Sequence, residues 1–177
     1  MKYLLFFGFF LLLQQLQAQQ VKLTNAVVIS QFDKEEDRYA MQALMADLLK
    51  SYQIKALPVM NVLKQGEDLQ HLLQDSIQKM LVQKGFDTYL VVNVRGYDRT
   101  FKPSDDSQTL AELLETTSIY QICRDEATSV SFEFSIYRDG KLISREVLRC
   151  GNVSDRDSVL KRLRKRLPKK VIPIWLA

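Results

Sequence analysis

From Val130 the chain alternates: Val130, Phe132, Phe134 and Ile136 are apolar, while Ser131, Glu133, Ser135 and Tyr137 carry polar groups. A period of two marks a strand with one face against a core and the other in water. Asp139-Gly140 follows. A two-residue turn of this kind needs positive φ at both positions, which Asp and Gly tolerate. Residues 142–150 then return as the partner strand. In a plain two-residue hairpin Ile143 and Val147 fall opposite Ile136 and Phe132, which leaves Arg145 facing Phe134. A bulge or a solvated rim resolves that mismatch.

A hairpin this apolar needs more strands to be stable, and the preceding segments supply them. Ala26 to Ser30 reads as a short buried strand. Asp33 stands three residues before Glu36, in a capping-box-like start, and Met41, Leu44, Met45, Leu48, Leu49 and Tyr52 follow at helical spacing. Residues 54–62 read as a second strand, and Pro58 places it at an edge or breaks it. Leu69, Leu72, Leu73, Ile77, Met80 and Leu81 form the stripe of a second helix, ended by Gly85 with Phe86 as its hydrophobic contact. Thr88 to Val94 is the clearest buried strand. Residues 95–128 form a long excursion with a short helical candidate at 109–114. Connections of that length usually carry function or mobility. A basic helix at 155–167 is stopped by Pro168, and the apolar tail 171–176 packs back on the body. The order β-α-β-α-β-excursion-β-β-α predicts an α/β domain (α+β as the alternative) with a mixed sheet and helices packed against it.

The first eighteen residues lie outside this pattern. Lys2 precedes an eleven-residue apolar run at 3–13, and a short polar stretch ends on the small residue Ala18. That order is read by a signal peptidase. Cleavage is expected after Ala18, leaving one domain over 19–177. A spanning helix needs roughly 20 apolar residues, whereas eleven cover only about 16 Å. The only cysteines are Cys123 and Cys150, so none follows the cleavage site to take a lipid. No later segment is apolar enough to span a bilayer. The expectation is an exported chain, periplasmic or secreted, with no transmembrane segment after processing.

In an oxidising compartment two cysteines invite a disulfide between Cys123 and Cys150, with two buried thiols as the alternative.

The full chain carries +4, and loss of Lys2 leaves +3. From Asp155 to Lys170 there are eight basic residues and two acidic ones, a local +6, so the rest of the processed chain is about −3. Lys161, Arg162, Arg164, Lys165, Arg166, Lys169 and Lys170 crowd ten positions. They are either a solvated helix face, with cations favourably near its C-terminus, or a contact for an anionic partner. Export turns that partner toward anionic envelope components or an envelope protein and away from nucleic acid.

No catalytic constellation is legible. The lone His71 sits beside the stripe of the second helix and reads as a boundary residue, and no Ser-His-Asp or Cys-His motif surrounds it. Structural zinc wants four His or Cys ligands, and only three such residues exist. Asp98, Asp105 and Asp106 lack the calcium-loop spacing. Glu112 with Glu115, or Asp125 with Glu126, could form a carboxylate pair for glycoside hydrolysis, but such chemistry needs a set separation and a raised pKa. No phosphate-binding or dinucleotide loop is present. No cofactor or metal is expected.

Three stretches carry a resemblance: Val27-Val28-Ile29 before the first helix, residues 84–92 after the second, and the hairpin 132–142. In these the chain resembles the small periplasmic α/β domains of Gram-negative envelope proteins, such as the N-terminal domain of TolB and CsgG-like domains. The resemblance implies a periplasmic mixed α/β fold and assigns no functional residue. The expected function is a non-enzymatic periplasmic or secreted module that binds or scaffolds within the envelope. The alternatives are a carboxylate-based hydrolase of envelope or sugar polymers and a subunit of an envelope complex.

Overall fold

The computed structural model describes residues 22–98, 107–116 and 118–177. The expected leader 1–18 and its expected cleavage site lie outside them. Five strands form one sheet in the order β2-β1-β3-β4-β5, with β1 at Asn25–Gln31, β2 at Lys55–Pro58, β3 at Thr88–Tyr97, β4 at Ser129–Arg138 and β5 at Lys141–Gly151. Strands β2, β1 and β3 run parallel, and β4 and β5 join antiparallel. Helix α1 (Glu35–Ser51) connects β1 to β2, and α2 (Asp75–Gln83) precedes β3. Helix α3 (Leu110–Glu115) lies in the excursion, and α4 (Arg156–Lys170) and α5 (Ile172–Leu176) close the chain. The expected mixed sheet with packed helices is the observed architecture.

Alternation along the strands divides two cores. Val28, Leu90, Val92, Phe132, Phe134 and Cys150 point to one face, where α1 brings Met41, Met45 and Leu49, and α4 brings Val159, Leu163 and Leu167. Val27, Ile29, Tyr89, Val91 and Tyr137 point to the other, where Leu72, Leu81, Leu110, Leu113 and Leu114 cover them.

Trp175 of α5 is fully buried and meets the Phe134 ring edge-on at 6.0 Å between centroids. Its indole Nε1 has no hydrogen-bond partner among the described residues. Burying a side chain this large stabilises by about 4–6 kcal/mol, against about 1–3 kcal/mol for an unsatisfied donor. Packing therefore wins, and the tail is fixed.

The hairpin turn forms as anticipated, with Asp139 at φ 52° and Gly140 at φ 73°. The bulge is also present, between Ile136 and Tyr137. It shifts the register by one residue, so Glu146 rather than Arg145 stands opposite Phe134, and Arg145 pairs with Ser135.

Several expectations need correction. Strand β4 is not half-solvated, because Ser131, Glu133 and Ser135 are buried along with their apolar neighbours. The second strand stops at Pro58, and a 3-10 turn takes Val59–Asn61. The second helix is split. Residues Leu69–Leu73 form a 3-10 turn capped by Asp68, and Gln74 is extended before α2 begins. Asp33 does not cap α1, whose N-cap is Lys34 without a side-chain bond. Pro168 lies inside α4 rather than ending it. Proline there removes a single donor, and the carbonyl that loses it belongs to exposed Arg164. The ladder resumes with Val171 N–H donating to Leu167 O at 3.0 Å.

The buried Glu133 is held by charge. Arg95 donates to its Oε1 from Nε at 3.2 Å and Nη2 at 3.0 Å. Ser135 Oγ donates at 3.3 Å, and Arg145 Nε lies at 3.7 Å. Removing one partner from a buried pair leaves the other charge uncompensated. Glu133→Ala is therefore expected to cost about 3–5 kcal/mol, read from the urea midpoint. A shift of less than about 1 kcal/mol would show that the two arginines do not depend on it.

Candidate functional site

Helix α4 carries all seven anticipated cations. Its start is built by a capping box, in which Asp155 Oδ1 accepts from Ser158 N–H at 2.7 Å and Ser158 Oγ accepts from Asp155 N–H at 3.2 Å. Val159, Leu163 and Leu167, four residues apart, bury one stripe against the sheet. The opposite side is therefore held outward by packing. Lys161, Arg164, Lys165, Lys169 and Lys170 are exposed there, while Arg162 and Arg166 are half-buried on the flank. Arg166 donates from Nη1 to the Arg149 carbonyl, which ties the helix to β5. The structure thus splits the anticipated set into five open cations and two on the flank, one of which also braces the fold.

Charge is graded along α4. Asp155 and Asp157 at its start share a cleft with Glu36, Asp37 and Asp125, whereas no acidic residue occurs from Ser158 to Ala177. The Asp155 carboxyl is held below the ordinary carboxylate range, first by the Ser158 backbone hydrogen bond and then by the Ser154 hydroxyl.

The Cys123–Cys150 bridge is not formed, and both thiols are free. Cys150 faces the core opposite Val130, and burial pushes its pKa up to about 11. Cys123 is half-buried at the edge of the same core, and its pKa is raised, first by desolvation and then by Asp155 and Asp125.

Of the acidic residues weighed for hydrolysis or calcium, Glu112 and Asp98 hold local structure. Glu112 Oε2 accepts from the Thr109 backbone at 2.7 Å and hydroxyl at 2.9 Å, completing the α3 capping box. Asp98 sits at φ 52°, and its Oδ1 accepts from Thr128 N–H, the Thr128 hydroxyl and Ser129 N–H. Asp125 and Glu126 line a shallow depression with Tyr97 and Tyr120. Asp105 and Asp106 lie outside the described residues. His71 sits half-exposed in the 3-10 turn, as a boundary residue. Among the described residues no three His, Cys, Asp or Glu side chains gather at a common point.

The return of the excursion is firmly held. Asp37 Oδ2 accepts from Ile122 N–H at 3.0 Å, and the Tyr97 hydroxyl donates to Gln121 O at 2.7 Å. A cleft of about 560 Å³ lies between α1 and residues 59–69. Its buried polar groups bond one another: Ser30 Oγ donates to Arg38 O, and Gln42 joins Ser30 to Met60 N–H.

The Arg95–Glu133–Arg145 cluster was missed by sequence reasoning. Glu133 sits at an alternating position that reads as solvated, and only the sheet places it between the two arginines.

No protein-family model matches the chain, and no curated protein matches it in sequence. Among solved structures it is similar to a PelC dodecamer from Paraburkholderia phytofirmans, with a TM-score of 0.43 and 10% identity over 90% of this chain and 93% of that one. Lipoprotein GNA1162 of Neisseria meningitidis gives 0.42 and 13% over 84% and 99%. Protein XCC0632 of Xanthomonas campestris gives 0.36 and 8% over 86% and 81%. No helix among the described residues is long and apolar enough to cross a membrane.

Two measurements check the site's chemistry. Thiol labelling of the folded protein should modify Cys123 and spare Cys150 until denaturant is added, with the Cys123 rate climbing as pH rises toward its raised pKa. Equal rates at both would place Cys150 outside the core. Asp155→Ala should lower the urea midpoint at neutral pH. Because the folded carboxyl titrates below its unfolded value, its contribution is present above the unfolded pKa and is lost as pH falls through the folded one. The gap between variant and parent should therefore close only in that acid range.

Proposed function

We propose that the protein is an exported, non-enzymatic binding module of the bacterial envelope, with the basic face of α4 as its working surface. One observation carries the reading: five exposed cations between Lys161 and Lys170, on a helix whose start is capped and whose opposite face is locked into the core. A rigid array of one sign attracts an anionic partner without having to be ordered first. The leader pattern over 1–18 supports export, and cleavage after Ala18 sets the new N-terminus at Gln19. The resemblance to periplasmic α/β domains of Gram-negative envelope proteins belongs to the same reading.

Inorganic polyphosphate is a suitable soluble probe. The processed chain is expected to bind it in low salt and to lose most of that binding near 1 M salt, where the Debye length falls to about 3 Å. A Lys161→Glu, Lys165→Glu, Lys169→Glu variant should bind about a hundredfold more weakly, since each of the three cations near an anionic surface contributes about 1 kcal/mol. Equal binding by variant and parent would overturn the role of α4. N-terminal sequencing of the exported protein tests the leader, and a start at Met1 would overturn it.

A subunit role in an envelope complex is favoured by β5. This eleven-residue strand ends the sheet with no strand on its outer side among the described residues, and Val147 on it is exposed. Such an edge accepts another strand. Light scattering that gives a monomer mass both alone and in envelope extract would exclude this role.

A further inference from the structure

We propose that the C-terminal end of α4 and helix α5 together dock on a bilayer surface carrying anionic lipid, with lysines on the headgroups and Ile174 and Leu176 entering the boundary below them. This rests on the basic-face reading above and names its partner. Three features together support a lipid surface as that partner, and the first sets it apart from a soluble polyanion.

The first is the adjoining apolar pair. Residues 171–177 contain no charged side chain. Ile172 and Trp175 turn inward and are fully buried, but Ile174 is 46% and Leu176 41% exposed. They follow Lys169 and Lys170 within a few residues. A soluble polyanion has no use for exposed aliphatic side chains, whereas an interfacial helix combines both chemistries.

The second is the charge gradient. The acidic residues of α4 stand at its start, beside Glu36 and Asp125, and the cations continue to its end. An anionic surface therefore attracts the α5 end and repels the opposite one. The field selects a single orientation in addition to drawing the protein in.

The third is where the chain enters. Leu23 N–H donates to the Trp175 carbonyl at 2.8 Å, so the start of the domain is pinned to α5. The apolar run 3–13 ends ten residues before Leu23, a reach of at most about 36 Å when fully extended. Before cleavage, a leader held in a membrane would deliver the domain with α5 on that side. The docking face and the entry point share one end of the molecule.

The test uses the processed chain with sedimented vesicles of phosphatidylcholine alone or mixed with phosphatidylglycerol. Binding is expected only to the mixed vesicles. The change Ile174→Ser with Leu176→Ser should weaken vesicle partitioning by about tenfold while leaving polyphosphate binding unchanged. The Lys161, Lys165 and Lys169 to Glu variant should lose both, at about fivefold per cation. All five positions are exposed. Emission from Trp175, the chain's single tryptophan, verifies folding of each variant. Polyphosphate binding without vesicle binding would overturn the lipid proposal and leave the basic-face reading standing. Loss of neither in the lysine variant would overturn both. Equal vesicle binding by the serine variant and the parent would remove Ile174 and Leu176 from the docking face.

Discussion

Strands β3 and β4 have both faces buried, and the rest of the molecule follows from that. A strand covered on both sides needs a layer on each, and neither layer can be left out without exposing Leu90 and Phe134 on one side or Tyr89 and Val91 on the other. Helices α1, α4 and α5 supply one layer. Helices α2 and α3, with the 3-10 turn before α2, supply the second. The same constraint fixes the tail. Trp175 inserts beside Phe134 with its indole nitrogen unpaired because the packing gain exceeds the cost of that donor.

Complete burial also has an electrostatic consequence. The alternation of β4 sends Ser131, Glu133 and Ser135 to the face where β3 and β5 bring Arg95 and Arg145. A buried carboxylate survives there because two guanidinium groups and a hydroxyl lie around it. This cluster is a structural demand of the sheet. The basic face of α4 is its opposite in kind: its cations lie in water, contribute little to stability there, and remain available to a partner. Burial separates charges used to hold the fold from charges that can act on something else.

The elements are legible wherever one residue type decides a backbone shape. Asp139-Gly140 sets the hairpin turn, and Gly85 with Phe86 sets the end of α2, with Phe86 N–H reaching back to Leu81 O. Thr109 and Glu112 start α3 by the reciprocal bonds their spacing allows. Local signals fail where a tertiary contact outweighs them. Asp33 leaves its capping role, and its backbone N–H donates to Tyr120 O. Pro168 does not break α4, because the buried stripe of Leu163 and Leu167 and the following Val171 hold the turn together. Residues 142–150 read correctly as a strand, and the bulge that the Arg145–Phe134 mismatch called for is formed, moving every later side chain by one position.

The sequence by itself determined the charge of the last twenty residues and the apolar run at 3–13, because both are sums over composition that no fold can alter. It also determined the alternating and helical periods, because side-chain spacing is a local property of the backbone. Only the tertiary structure decided which of the seven cations face outward, that both thiols stay free, and that Glu133 lies between two arginines. It also decided that the entry of the chain and its apolar tail share one end. Each of these depends on which distant segments meet, and sheet order and register set that without any trace in local spacing.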